Sequence, residues 1–242
     1  MQILAVIPAR YNSQRLPGKV LAPIGDKPMV QLVYEAAKQC SVFTKVVVAT
    51  DSELVAETVQ GFGGDVEFTS DTHSTGTDRV AEVATRYPEM SVVVNVQGDQ
   101  PFVTPQMLTE LVTPYLVGES PEMTTLACPL EHQTGYQDPN VVKVICGQKK
   151  QAIYFSRSPI PYYRNQVEVP VYHHLGLYAF RQDFLTIYTQ LDSTPIEQCE
   201  GLEQLRVLEH GYTIRVCQTA KAVMEVNTKE ELVKAQGLIK YH

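Results

Sequence analysis

The stretch IPARYNSQRLPGK (7–19) carries three cations, Arg10, Arg15 and Lys19, and no acid precedes Asp26. An apolar run that breaks into a loop of basic side chains and free amides suits a phosphate-rich anion. It is not a Walker A loop. Gly18-Lys19 matches the GK pair, but Ser13 stands where the earlier glycine belongs and Val20 where Ser or Thr would bind magnesium. A second stretch, VNVQGDQP (94–101), puts Asp99 just past a buried strand. A carboxylate there is costly unless it is solvated or holds a cation, the alternative being a plain Gly-Asp turn. Arg157 and Arg164 in SRSPIPYYR offer bidentate recognition of a carboxylate. In YHHLGLY a strand sets His174 and Tyr178 on one face and His173 on the other. The segment GLEQLRVLEHG (201–211) reads as an amphipathic helix with Leu202, Leu205 and Leu208 inward and Glu203-Gln204 solvated.

Chemistry at these positions needs a scaffold, and the strands supply a rhythm. ILAVIP (3–8), KVVVAT (45–50) and SVVVNV (91–96) alternate with helical patterns at 28–39, 52–61 and 105–117. This is the βαβ order of a parallel sheet, covered by helices on both faces, whose ligands collect at the carboxyl ends of the strands. Three loops fall there: 9–19, 50–52 and 97–101. Beyond about residue 120 the order changes. MTTLACPL, NVVKVIC, QAIYFS and VYHHLGLYAF predict a mixed sheet with antiparallel strands, and Pro159, Pro161 and Pro170 predict an irregular loop. Helical patterns return at 181–191 and 196–210. A last helix is expected near 228–240, with Thr228 and Glu231 at capping-box spacing.

The balance of 27 acids against 20 bases gives a net charge of −7, which argues against nucleic acid or an anionic membrane as partner. The cationic opening loop on an acidic chain therefore points to a small anion. Five cysteines without CxxC or zinc spacing read as reduced thiols. No signal-peptide pattern opens the chain and no apolar run approaches 18 residues, so the expectation is a soluble cytoplasmic protein. No G-x-S-x-G, HExxH or GxGxxG is present, which leaves covalent catalysis, zinc hydrolysis and hydride transfer without visible apparatus.

In order along the chain, IPARYNSQRLPGK, GDKPM, VATD, STGTDR, VNVQGDQP, PNVVKV, YFSRSPIPY, HHLGLYAF and LEQLRVL resemble the 3-deoxy-D-manno-octulosonate (Kdo) cytidylyltransferases nearly end to end. The resemblance implies an α/β Rossmann-like nucleotidyltransferase fold with a smaller mixed-sheet lobe. It implies one domain over 1–242, with a nucleotide-binding half (1–120) and a sugar-binding and dimerisation half (121–242), in a homodimer. The reaction implied is CTP plus Kdo giving CMP-Kdo and pyrophosphate, with Mg2+ as cofactor, for lipopolysaccharide or capsule assembly.

By the same resemblance, Pro8, Ala9, Arg10, Ser13, Arg15 and Lys19 would hold CTP together with Asp78, Arg79 and Gln97. Arg10, Arg15, Lys19 and Asp99 would carry the catalysis. Arg157, Arg164, His174, Tyr178, Glu203 and Gln204 would line the sugar-acid pocket, and Asp99 with Asn227 would bind the metal. Two departures stand out. GDQP replaces the usual GDEP, and EVNTKEEL replaces GVDTPEDL, so Asn227 stands where a second Mg2+-binding aspartate is expected. These keep two alternatives open: a cytidylyltransferase for the 8-amino-3,8-dideoxy analogue of Kdo, and a paralogue that binds CTP without turning it over.

Overall fold

Ile3 to Ile7 have no exposed area and form most of β1 (Ile3–Pro8), the strand on which the first part of the chain is built. The structure, a computed structural model, describes residues 1–13, 15–130 and 135–239. They form two units: Met1–Thr109 with the chain from Val223 onward, and Glu110–Ala222.

In the first unit β1 runs into the opening loop and a 3-10 turn (Lys19–Leu21), then a small hairpin of β2 (Pro23–Ile24) and β3 (Lys27–Pro28). Then come α1 (Met29–Gln39), β4 (Lys45–Thr50), α2 (Glu53–Gly61), β5 (Val66–Phe68), α3 (Gly76–Ala84), β6 (Val92–Asn95) and the start of α4 (Pro105–Leu116). The three pairings among its long strands are parallel, in the order β6-β1-β4-β5, with Val6 opposite Val47 on one side and Asn95 on the other. Parallel neighbours require crossovers, which the helices provide. The chain steps outward from β1 to β4 to β5 and then returns to the far side of β1. The strand order therefore reverses between β1 and β6, the position at which open α/β sheets bind ligands.

The second unit continues with β7 (Met123–Pro129), β8 (Lys143–Cys146), β9 (Ala152–Ser156), β10 (Tyr172–Arg181), α5 (Gln182–Tyr188), α6 (Pro195–Glu200), α7 (Leu205–Glu209) and β11 (Ile214–Gln218). β7 pairs parallel with β11 and antiparallel with β10, which in turn pairs antiparallel with β8, and β8 with β9. This is the mixed sheet expected from the change of rhythm. Between His174 and Tyr178 the register of β10 shifts, and Gly176 there has φ 65°, a conformation open to glycine at little cost.

The chain then returns to the first unit and ends in α8 (Lys229–Ile239). Thr228 and Glu231 form the anticipated capping box: the Glu231 carboxylate accepts from Thr228 N–H at 2.9 Å and Thr228 Oγ1 accepts from Glu231 N–H at 3.2 Å. Val226 and Ala235 are buried against Ile24 and Met29, with Leu16 and Phe102 packed on the same cluster. The C-terminal segment, read from sequence as part of the second half, thus packs with the first unit. Residue 240, to which the expected helix ran, lies outside the described residues.

Two local expectations change. The helix expected over 196–210 is two short ones, because Gly201 takes φ 62° and closes α6, its N–H bonding to Glu197 O. Gln204 is consequently buried rather than solvated, and Val207 is fully buried while Leu208 is only partly so. STGTDR, outside the helical patterns read from the sequence, leads into α3, where Thr75 Oγ1 caps Asp78 N–H at 3.1 Å.

Candidate active site

The opening loop is shaped by its own backbone. Ala9 N–H bonds to Ala49 O at 2.8 Å, and Gly18 N–H returns to Tyr11 O at 2.9 Å. Gly18 has φ 68°, and a Cβ there would lie 3.2 Å from the Tyr11 ring. Across the strand reversal, Gly98 passes so close to β1 that a Cβ would meet Pro8 O at 2.8 Å. That approach carries Asp99 to the opening loop.

Four of the expected residues meet there. Lys19 Nζ donates to Asp99 Oδ2 at 2.7 Å and to Asn227 Oδ1 at 3.1 Å, and Arg15 Nη2 donates to the same Asn227 oxygen at 3.0 Å. Val226, buried, donates its N–H to Asp99 O at 2.9 Å and so fixes Asn227 beside the loop. Asn227 N–H is held in turn by Glu231 at 2.7 Å. Arg10 and Arg15 are exposed and Ser13 is half-buried. Two positive side chains, Lys19 and Arg15, therefore meet the side-chain oxygens of Asp99 and Asn227.

The other expected nucleotide residues form a second cluster. Arg79 is buried, and its guanidinium bonds to Thr69 Oγ1 and, at 2.9 Å, to Asp51 Oδ2, so it ties α3 to the segment after β4. Asp78 Oδ2 accepts from Ser74 and Thr75 hydroxyls at 3.2 and 2.9 Å, closing the N-terminus of α3. Gln97 Nε2 donates to Asn95 Oδ1 at 3.1 Å, and Asn95 Nδ2 donates to Thr77 Oγ1 at 3.3 Å. Asp51, Thr69 and Asn95 did not stand out in the sequence. The Ser/Thr-x-x-Asp spacing of Thr75 and Asp78 is the sequence signal that would have marked the start of α3.

In the second unit, His174, Tyr178 and Gln204 are buried and lie in one chain of hydrogen bonds. Tyr178 O–H donates to Gln204 Oε1 at 3.1 Å, and Gln204 Nε2 lies 3.5 Å from His174 Nδ1. His174 Nε2 lies 2.9 Å from Thr125 Oγ1, whose hydroxyl donates to Leu177 O at 2.8 Å. Because that hydroxyl is already a donor, the histidine carries its proton on Nε2. Burial, reinforced by His173, pushes the His174 pKa down to about 3, so the ring is neutral. Glu203 accepts from Tyr188 O–H at 3.3 Å.

Arg157 is bound to main chain: Nε to Glu200 O at 2.8 Å, Nη1 to Pro139 O at 3.0 Å and Nη2 to Gly201 O at 3.4 Å. Glu200 accepts from Ser156 O–H at 2.6 Å and from Arg157 N–H at 2.9 Å. Burial raises its pKa, but these bonds outweigh it and the carboxyl stays below its usual range. Lys143, missed in the sequence, is fully buried with its ammonium on the carbonyls of Asp138, Val141 and Arg157. Arg164 is exposed on the loop between β9 and β10.

Among the described residues no group of three or more His, Cys, Asp or Glu is arranged to hold a metal, and all five cysteines are unpaired. Among the same residues no helix is long and apolar enough to cross a membrane. A strand reversal flanked by a cationic loop and an oxygen-bearing turn places the molecule among the α/β nucleotidyltransferases. The fold agrees: 4-diphosphocytidyl-2C-methyl-D-erythritol synthase from Anaerococcus prevotii superposes with a TM-score of 0.66 at 12% identity, covering 99% of this chain and 98% of that one.

The chain belongs to the cytidylyltransferase family, whose pattern matches residues 4–215. It is 66% identical to the 3-deoxy-manno-octulosonate cytidylyltransferase of Acaryochloris marina over 99% of this chain and 98% of that one. Its identity to the Synechococcus elongatus protein of the same name is 56%, with 98% of each covered. A CMP:2-keto-3-deoxy-manno-octonic acid synthetase solved in complex with CTP has a TM-score of 0.95 at 39% identity, with 100% of this chain and 99% of that one aligned.

Proposed function

We propose that the chain is an enzyme that transfers CMP from CTP to the anomeric hydroxyl of Kdo, releasing pyrophosphate. One observation carries the reading: Lys19, Arg15, Asp99 and Asn227 converge at the strand reversal in a chain with these relatives. The hydroxyl oxygen bonds to the α-phosphorus as the bond from that phosphorus to the β-phosphate bridge breaks. Pyrophosphate leaves with the electron pair, and the hydroxyl proton passes to solvent.

Arg10, Ser13, Arg15 and Lys19 bind the triphosphate, and Pro8, Ala9, Asp78, Arg79 and Gln97 shape the nucleotide site. Lys19 and Arg15 exchange Asn227 Oδ1 for phosphate oxygens and neutralise charge on the leaving group. No side chain is needed as general base.

The oxygens of Asp99 and Asn227 form a hard donor set that fits Mg2+, and an ammonium already bridges them. When bound, Mg2+ lowers the pKa of the attacking hydroxyl and offsets phosphate charge. Arg164 takes the sugar carboxylate, with Arg157, His174, Tyr178, Glu203 and Gln204 shaping that pocket. The homodimer, the cytoplasmic location and a product destined for lipopolysaccharide or capsule belong to the same reading.

The GDQP departure keeps the 8-amino analogue of Kdo as the second sugar to test. Pyrophosphate release with CTP, Mg2+ and a panel of octulosonates tests the proposal. Release with Kdo supports it, release with the 8-amino sugar alone moves the substrate, and none with any sugar leaves the non-catalytic paralogue.

A further inference from the structure

Asn227 has an amide whose two ends face opposite charges. Its oxygen accepts from Arg15 and Lys19 at 3.0 and 3.1 Å, while its nitrogen donates to Glu225 Oε2 at 3.3 Å. The other carboxylate oxygen of Glu225 accepts from Gln100 Nε2 at 2.9 Å. An ionised carboxylate only accepts and the two cations only donate, so one amide orientation alone satisfies all of them. Val226 sits between the two residues in sequence. Buried in the core and bound to Asp99 O, it holds Glu225 and Asn227 to the same polar side.

From this network we propose that Glu225 is a positioning residue of the nucleotide site. By holding Asn227 Nδ2 it keeps Asn227 Oδ1 turned to Lys19, Arg15 and the metal position. The inference deepens the proposed function and rests on it for the identity of the ligand. It also explains why residues 100 and 227 are both amides. A carboxylate at either position would set like charges within hydrogen-bonding distance of Glu225, which is destabilising. Gln100, Glu225 and Asn227 are thus one matched unit rather than three separate choices.

The consequence is that Asn227→Asp does not by itself improve the metal site while Glu225 remains. It does so only when Glu225 is neutralised in the same chain. The test is a double-mutant cycle of Asn227→Asp and Glu225→Gln, read two ways on the full-length protein. In thermal unfolding without ligand, Asn227→Asp is expected to lower Tm, and the double variant to recover most of that loss. In titrations of CTP binding against Mg2+, Glu225→Gln is expected to raise the half-saturating Mg2+ concentration about 10–100-fold, the usual range for losing a group that orients a ligand. Glu225→Asp, which keeps the charge, is expected to retain part of the wild-type value. Additive effects on Tm, or an unchanged Mg2+ dependence in Glu225→Gln, would overturn the proposal. If wild type itself fails to bind CTP, the proposed function falls, while the Tm cycle still decides the coupling between residues 225 and 227.

Discussion

Lys19 Nζ lies 2.7 Å from Asp99 Oδ2, joining the end of the opening loop to the turn after β6 across 80 residues of sequence. Neither group is fully exposed. The contact spans the strand reversal at which the nucleotide is proposed to bind.

Changing either end should therefore separate chemistry from folding. Lys19→Met is expected to lower kcat roughly 100-fold or more, since a charge matched to the leaving group is lost. The sugar KM should change little. Asp99→Asn is expected to abolish nearly all turnover while Tm stays within a few degrees of wild type. Steady-state kinetics and a melting curve for each variant check both; an altered sugar KM alone would detach Lys19 from the phosphates.

Arg79 should behave differently, because it is buried and paired with Asp51. Arg79→Ala is expected to cost about 3–5 kcal/mol of stability, the range for stranding the partner of a buried pair. Urea denaturation measures this. A variant as stable as wild type would show that Arg79 serves the nucleotide rather than the scaffold.

The two arginines assigned to the sugar should also part company. Arg157 holds three backbone carbonyls, so Arg157→Ala is expected to lose about 1–3 kcal/mol of stability as well as activity. Arg164→Ala should leave Tm unchanged and raise the sugar KM about tenfold or more. Equal stability losses in both would contradict the distinction.

His174 predicts a pH dependence. Its pKa is pushed from the ordinary value near 6.5 down to about 3, chiefly by burial, so between those values the unfolded chain binds a proton that the folded chain does not. Its contribution to stability is complete above pH 6.5 and is lost as pH falls towards 3. Within that window it adds about 1.4 kcal/mol per pH unit to the slope of unfolding free energy. His174→Gln should remove that part of the slope in denaturant titrations from pH 7 to 4. A variant with the wild-type slope would place the acid sensitivity elsewhere.

The elements that the sequence made legible are those that local pattern determines. Val- and Ile-rich runs marked β1, β4 and β6, and Thr228 with Glu231 marked α8, because burial on two faces and helix capping both leave short-range signatures. α3 escaped notice, since Gly76, Thr77 and Asp78 at its start look like a turn until Thr75 is seen to cap it. The break at Gly201 was visible as a glycine, but its left-handed backbone was not.

At the site, residue types were readable and partnerships were not. Arg79 looked like a ligand-binding cation, yet its partners Asp51 and Thr69 lie 28 and 10 residues away. Asn227 reaches Lys19 over 208 residues, and Glu225 drew no attention because nothing in its neighbourhood announces Gln100, 125 residues earlier. Such contacts come from the strand order and the return of the C-terminal segment, which local periodicity does not encode.

The central claim is the transfer of CMP to Kdo, and phosphorus NMR of the purified protein with CTP, Mg2+ and Kdo tests it most directly. The account predicts that the three resonances of CTP decline together while one phosphodiester resonance and pyrophosphate grow in equal amounts, only when Kdo is present and far faster than with ATP or GTP. Appearance of CDP and inorganic phosphate, or an unchanged CTP spectrum in the presence of Kdo, would contradict it.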